Sequence, residues 1–157
     1  MYRKILSWIF LAFIVGILVF LFLMKDSMNI YLSQRIKDQV SIQNEISLAI
    51  KIDSLYNYNV NGLNYDFTFL EIGAIGCVTC KRMETVLDEI REKYPTKVNV
   101  VFLNILIPEN QEIMKYYGVA SIPTQILLDK SGNEFFRNNG YYSTELLSTH
   151  FDKYTNN

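Results

Sequence analysis

The sequence predicts an α/β protein in which helices flank a mixed central sheet, with an N-terminal transmembrane helix ahead of it. An uncharged run of twenty residues, 5–24, lies near the start of the chain. After it, apolar runs typical of strands alternate with amphipathic stretches in the order helix, strand, helix, strand, helix, strand, strand, helix. A βαβ half joined to a ββα half around one sheet accommodates that order.

Residues 1–24 are the predicted membrane anchor. Twenty helical residues at about 1.5 Å each span roughly 30 Å, the hydrocarbon thickness of a bilayer. A cleaved secretory signal has a shorter apolar core followed by small residues, and "LFLMKDSMN" lacks that step. Basic residues on the two sides of the span are too evenly matched to fix its orientation. A basic pair before a single N-terminal anchor favours a single-pass protein of the cytoplasmic (inner) membrane with an extracytoplasmic domain.

The rest of the chain divides into a stalk with the first helix, residues 25–56, and a domain, residues 57–157. The formal net charge of −1 argues against a general affinity for nucleic acid. Residues 28–56 mix apolar and polar types at helical spacing and predict one helix or two. Four asparagines and an Asn-Gly step in "YNYNVNGLNY" predict a loop before the sheet.

The strands and helices of the domain follow in order. "DFTFLEIG" is a β-rich apolar run, and "CKRMETVLDEIREKY" has helical periodicity until Pro95 ends the helix. "KVNVVFLNI" is apolar and β-branched, which predicts a strand covered on both faces. "PENQEIMKYYG" begins with proline and ends with glycine, as helices commonly do. "TQILL" and "NEFFR" flank the turn "DKSG" and predict a hairpin, after which residues 143–154 form a last helix.

The only cysteines, Cys77 and Cys80, admit three interpretations. A closed zinc site needs four ligands, and the chain adds only His150, on the distant last helix, where a surface or packing role is expected. A structural disulfide between residues three apart removes little entropy from the unfolded chain. A redox couple is favoured, because the pair lies where a strand ends and a helix begins. The helix N-terminus stabilises a thiolate at Cys77, and Cys80, one turn inside, can resolve a mixed disulfide.

Residues 66–149 resemble a thioredoxin-fold domain, through "FTFLEI", "CVTCK", "VVFLNI", "YYGVASIPT" and "ILLDKSGNEFF". The resemblance implies that Cys77 attacks and Cys80 resolves, with no cofactor beyond their disulfide. It implies that Pro123 is a cis-proline facing the cysteines and that Ile122 and Pro123 shape a groove for the client's chain. It also implies that Glu71 is a buried acid that accepts a proton from Cys80; the alternative is a partly exposed glutamate at a strand end.

The motif departs from cytoplasmic thioredoxins and from strong oxidants of the family. Gly76 stands where thioredoxins have tryptophan, and Val-Thr replaces the Gly-Pro or Pro-His between the cysteines. Phe102 stands where a lysine often neighbours the buried acid. Valine after the first cysteine is similar to the C-terminal domain of DsbD-type electron-relay proteins, which pass reducing equivalents outward.

These observations predict a membrane-anchored, extracytoplasmic thiol–disulfide oxidoreductase that acts on protein dithiols or disulfides, preferentially as a reductant. Its clients would be apocytochrome haem-binding cysteines or misoxidised exported proteins. A membrane thiol transporter would supply electrons, because no nicotinamide or flavin site is visible. One alternative is an oxidant. Strong oxidants have a histidine between the cysteines that stabilises a thiolate, and this chain lacks it. The other is a redox-inert peptide-binding module, which an intact Cys-x-x-Cys argues against.

Overall fold

The computed structural model describes residues 2–39 and 41–155, without the side chains of residues 2–7, 26, 42 and 155. Along the chain the elements are α1 (Tyr2–Lys37), α2 (Ile42–Tyr56), α3 (Tyr58–Asn61), β1 (Phe67–Gly73), α4 (Val78–Lys93), β2 (Val98–Asn104), α5 (Pro108–Tyr116), β3 (Thr124–Leu128), β4 (Glu134–Asn139) and α6 (Thr144–Thr155). From α2 onward this is the predicted order, with α3 added.

The single turn α3 lies inside the segment that the sequence predicts to be a loop. Asn57 caps it by accepting a hydrogen bond from the backbone N–H of Asn59. Tyr58 is buried, and its hydroxyl bonds to Thr68 on the neighbouring strand. Asparagine-rich sequence therefore forms a helical turn here because a cap and a buried aromatic ring stabilise it.

The four strands form one mixed sheet in the order β2-β1-β3-β4. β1 pairs with β2 in parallel, as expected for a βαβ unit, and with β3 antiparallel. β3 and β4 form the predicted hairpin. The predicted α/β class with a mixed central sheet is confirmed, and β1 is a central strand with pairing on both sides.

β2 packs apolar side chains on both of its faces, as the sequence predicts, with Val98 and Val100 on one face and Val101 and Leu103 on the other. β2 is nevertheless an edge strand, in which three of the seven residues are buried, three are partly buried and one is exposed. Phe102 in its middle is 36 % exposed. The continuous apolar run therefore predicts the packing on both faces but not the position of β2 at the edge of the sheet.

Two apolar layers enclose the sheet. Side chains alternate between the faces of β1, so Phe67 and Phe69 lie on the face covered by α4 and α6, and Leu70 and Ile72 lie on the face covered by α2 and α5. All four are buried. Glu71 follows the alternation of Phe67 and Phe69, which puts a carboxyl group on the α4 face.

The first helix carries the apolar segment directly onto the domain. Within the part of the chain described, Trp8–Lys25 is the segment long and apolar enough to cross a membrane, and it is not buried against the protein. α1 continues to Lys37 without a break. At its C-terminal end it meets Gly118, where a β-carbon would lie 2.5 Å from the carbonyl oxygen of Ser33. Only glycine, here with a φ of +62°, permits this approach.

Candidate active site

Cys77 is the N-cap residue of α4, as its position in the sequence predicts. Its backbone is extended, and its Sγ accepts a hydrogen bond from the backbone N–H of Cys80 at 3.2 Å. The two cysteines form a disulfide. A sulfur in the N-cap position faces unpaired N–H groups and the positive end of the helix dipole, both of which favour a thiolate once the disulfide is reduced.

The two sulfurs differ in their access to solvent. Cys77 is half-buried, whereas Cys80 is only 3 % exposed and begins the apolar face that Met83 and Leu87 continue along α4. Val78 between them is 80 % exposed. An external disulfide can therefore reach Cys77, while Cys80 is accessible mainly from inside the protein.

The positive charges in the first turn of α4 are arranged at its surface. Lys81 and Arg82 are both exposed. The guanidinium carbon of Arg82 lies 4.2 Å from the ring centroid of Tyr141, a cation–π contact that holds this charge beside the loop after β4. Arg82 thus connects α4 to that loop as well as adding positive charge near the cysteines.

Gly73 at the end of β1 is a further residue of the site, and the sequence prediction does not include it. A β-carbon at residue 73 would lie 3.2 Å from Cys80 Sγ and 3.0 Å from Cε2 of Phe102. Any larger residue would therefore push on the buried sulfur or on an aromatic ring. The available signal was a glycine at the end of an apolar strand, which often marks a close approach of the backbone to another group.

Pro123 lies at the same edge of the sheet as the disulfide. The Ile122–Pro123 peptide bond is cis. Ile72 pairs with Thr124 across antiparallel strands, so Gly73, one residue further along β1, is level with Pro123. Gly73 is also the residue whose β-carbon would meet Cys80, so the proline and the buried cysteine have this glycine as a common neighbour. Pro123 is buried and Ile122 is half-buried.

Glu71 is completely buried, with 0 % exposure. Its Oε2 accepts a hydrogen bond of 2.9 Å from Nε2 of Gln125, while its Oε1 has no partner among the described residues. Phe102, not a cation, occupies the paired position on β2. Desolvation raises the pKa of Glu71 to about 8, and the bond from Gln125 opposes that rise.

The strand register relates the buried carboxyl to the buried sulfur. Glu71 and Gly73 lie on the same face of β1, and two residues of strand span about 7 Å. A β-carbon at residue 73 would touch Cys80, and Glu71 is the next side chain along that face. A carboxyl with a pKa near neutrality in this position can exchange protons with a thiol. The sequence located this acid but not Gln125, whose only signal was one amide within the apolar strand "TQILL".

His150 lies on α6, away from the cysteines. Its ring stacks on Phe136 with centroids 3.7 Å apart, and its Nε2 is 2.9 Å from the hydroxyl of Tyr142. Burial lowers its pKa, and the positive charge of Lys153 adds to that effect. These contacts give it the packing role that the sequence predicted.

The comparisons with known proteins agree on the family. A family model described as "Thioredoxin-like domain" matches residues 21–155. The chain is 37 % identical over 78 residues to the thioredoxin of Alicyclobacillus acidocaldarius subsp. acidocaldarius. The aligned region covers 50 % of this chain and 71 % of that protein. It is 25 % identical over 108 residues to the chloroplastic thioredoxin-like protein HCF164 of Arabidopsis thaliana, covering 69 % of this chain but 39 % of that relative.

Solved structures agree on the fold. Oxidised mitochondrial thioredoxin 3 from Saccharomyces cerevisiae superposes with a TM-score of 0.52 at 24 % identity, covering 66 % of this chain and 89 % of that one. A thioredoxin from Halobacterium salinarum NRC-1 gives a TM-score of 0.52 at 24 % identity, covering 60 % and 79 %. At this identity the likeness concerns the fold alone.

The burial of Glu71 makes stability depend on pH. Its pKa rises from 4.5 to about 8 on folding, so between those values the folded protein retains a proton that the unfolded chain releases. Stability contributed by the neutral acid is complete at low pH and is lost as pH rises through this window. We expect the free energy of unfolding of Glu71→Gln, relative to wild type, to increase by about 4 kcal/mol from the bottom to the top of the window.

Denaturant unfolding of the full-length oxidised protein in detergent, followed at several pH values, measures this difference. Glu92→Gln, an exposed acid on α4, is the matched control and should leave the pH dependence of wild type unchanged. Parallel stability curves for wild type and Glu71→Gln would contradict a raised pKa at Glu71.

Proposed function

The chain belongs to the thioredoxin-like domain family, and from that premise we propose that it is a membrane-anchored, extracytoplasmic reductant of protein disulfides. Its Cys77–Cys80 disulfide and its thioredoxin relatives support thiol–disulfide oxidoreductase activity. Thioredoxin-like proteins use no cofactor beyond their own disulfide. The observation that carries the proposal is the unequal pair of sulfurs at the start of α4, one accessible and one buried near an acid.

The proposed cycle begins with the reduced protein. The Cys77 thiolate attacks one sulfur of a client disulfide, whose S–S bond breaks; a mixed disulfide forms and one client thiolate leaves. Cys80 then loses its proton to Glu71 and attacks the Cys77 sulfur, so that the mixed disulfide breaks and the second client thiolate is released. The client has gained two electrons, and the protein holds the Cys77–Cys80 disulfide. A membrane thiol donor returns two electrons to this disulfide.

The client's chain would lie along the loop that contains the cis-proline. Pro123 is buried and level with Gly73 at the disulfide, and Ile122 is half-buried beside it. Free backbone groups in such a loop can bond an extended segment as an added strand. We assign Ile122 and Pro123 to substrate binding on this ground. The clients would be exported proteins with misoxidised cysteines or apocytochromes whose haem-binding cysteines must be reduced.

Reduction is favoured over oxidation by what surrounds Cys77. A strong oxidant is one whose reduced form is specifically stabilised. Here the residues between the cysteines are the exposed Val78 and the half-buried Thr79, and neither can carry a positive charge. The stabilising influences on the thiolate that remain are the helix N-terminus and the exposed charges of Lys81 and Arg82, which lie outside the two positions between the cysteines.

Residues 1–24 are proposed as the membrane anchor, 25–56 as a stalk and first helix, and 57–157 as the thioredoxin-like domain. Support comes from the apolar, unburied segment Trp8–Lys25 and from the continuation of α1 to its contact with Gly118. A continuous helix would keep the redox site at a short, fixed distance from the bilayer, where a membrane thiol donor can reach it.

Single cysteine variants test the redox assignment. Cys80→Ser should accumulate a mixed disulfide between Cys77 and client proteins, because attack survives and resolution does not. Cys77→Ser should accumulate little, since its remaining sulfur is buried. Cells expressing each variant are quenched in acid, alkylated and examined for adducts that a reductant releases. Equal trapping by the two variants would refute the division of roles, and trapping by neither folded variant would refute the redox function.

The anchor and its orientation are tested together in a bacterial host. We expect the protein in the membrane fraction to retain residues 5–24, and protease added to spheroplasts to digest the domain, because a single N-terminal anchor with a basic pair before it normally exports the residues that follow it. Sequencing of the N-terminus and protease digestion of inside-out vesicles complete the measurement. An N-terminus at residue 25 or beyond, or a domain digested only in inside-out vesicles, would contradict the proposed topology.

A further inference from the structure

A row of three polar side chains crosses the sheet from β1 to β4. Nε2 of Gln125 donates to Oε2 of Glu71 at 2.9 Å, and Nδ2 of Asn138 donates to Oε1 of Gln125 at 2.6 Å. Each strand of the hairpin therefore contributes one amide to a chain that ends on the buried acid. Gln125 is fully buried and Asn138 is half-buried.

The outer end of the row determines the direction of every bond in it. Nδ2 of Asn138 also donates to the carbonyl oxygen of Gly140 at 3.3 Å, and the backbone N–H of Gly140 donates to the carbonyl oxygen of Pro123 at 2.8 Å. Asn138 thus directs its NH2 group at two acceptors, one of them in a loop tied to the cis-proline. Gln125 must present its oxygen to Asn138, and its NH2 group is left to face Glu71.

This direction distinguishes the two oxygens of Glu71. An N–H donor faces Oε2, which must remain an acceptor whether the acid is neutral or ionised. The proton of the neutral acid is therefore carried on Oε1, the oxygen with no partner among the described residues. Oε1 is consequently the atom that can release a proton to, or take one from, a neighbouring group.

We propose that Gln125 and Asn138 are positioning residues that act through Glu71, by keeping Oε2 an acceptor and holding the exchangeable proton on Oε1. The inference rests on the proposed role of Glu71 as proton acceptor for Cys80. Neither amide touches a reacting sulfur in this scheme. They determine where the proton resides and at what pH the acid is available as a base.

The surroundings of Glu71 leave this task to the amides. β2 presents Phe102 at the paired position, β3 presents Gln125, and α4 presents Cys80 and Met83 on its buried side. Among the described residues no charged group contributes to the raised pKa of Glu71, which desolvation increases and the Gln125 hydrogen bond decreases. Burial has the larger effect, and the Gln125 amide is the hydrogen-bonding group among the described residues that opposes it.

Asn138→Asp is expected to reverse the direction of the hydrogen bonds in the row, with almost no change in the shape of the side chain. The new carboxylate can only accept, so Gln125 turns its NH2 group outward and presents its oxygen to Glu71. Glu71 must then donate and is held neutral, and we expect its titration midpoint to rise by about one pH unit or more. Asn139→Asp is the matched control, because it adds the same charge one residue along β4 with no bond to Gln125. Gln125→Met, which is nearly isosteric and removes the donor, should also raise the midpoint.

Infrared spectroscopy of the oxidised full-length protein in detergent follows the carboxylic acid C=O band of Glu71, identified by its loss in Glu71→Gln. The rate of mixed-disulfide resolution in a single turnover near pH 7 is measured in parallel, and Asn138→Asp should slow it more than Asn139→Asp does. If Asn138→Asp and Gln125→Met shift the midpoint no more than Asn139→Asp, the proposal is overturned.

The same experiment separates this proposal from the function on which it rests. Resolution that is equally fast in wild type and Glu71→Gln would remove Glu71 from the redox cycle, whatever the amides do. A midpoint that still responded to Asn138→Asp in that case would support the positioning of the proton by Gln125 and Asn138. A slowed Glu71→Gln with an unresponsive midpoint would instead retain the function and reject the positioning.

Discussion

A carboxyl group buried in an apolar sheet face, with one hydrogen-bond donor, is the feature around which the redox site is built. Burying an ionised carboxylate without a partner is costly, so Glu71 shifts its pKa to about 8 and remains largely neutral near pH 7. The central strand β1 imposes this burial, because Phe67, Phe69 and Glu71 alternate onto the face that α4 covers. In the proposed cycle the ionised minority of Glu71, roughly a tenth of the molecules one pH unit below this pKa, accepts the proton that the Cys80 thiol must lose.

The other parts of the site meet at the C-terminal end of the same strand. Gly73 leaves room for Cys80, α4 begins directly beyond it with Cys77 at its N-cap, and antiparallel pairing brings Pro123 level with it. One sulfur is left accessible and the other enclosed. The proposed division of roles, in which Cys77 attacks and Cys80 resolves, rests on this difference in burial and on the position of the helix end, which are consequences of packing and chain direction.

Much of this arrangement could be predicted from the sequence, since it depends on local patterns. The strand before the cysteines, the helix after them and the proline before "TQILL" are each recognisable from a pattern of a few neighbouring residues. What the sequence did not indicate depends on pairing between distant segments. The bond between Glu71 and Gln125 joins residues 54 positions apart, and the exposure of Phe102 follows from β2 lying at a sheet edge. Neither register nor strand order is encoded in the local periodicity from which strands are recognised.

The reduction potential of the Cys77–Cys80 couple tests most directly the claim that the protein is a reductant. Full-length protein in detergent is equilibrated with glutathione or dithiothreitol buffers, and the thiol and disulfide forms are separated after acid quenching and alkylation. With uncharged residues between the cysteines and no positively charged group there to stabilise the Cys77 thiolate, the potential should be about −270 mV, as in thioredoxin. A value near about −120 mV, as in a strong oxidant, would contradict the account.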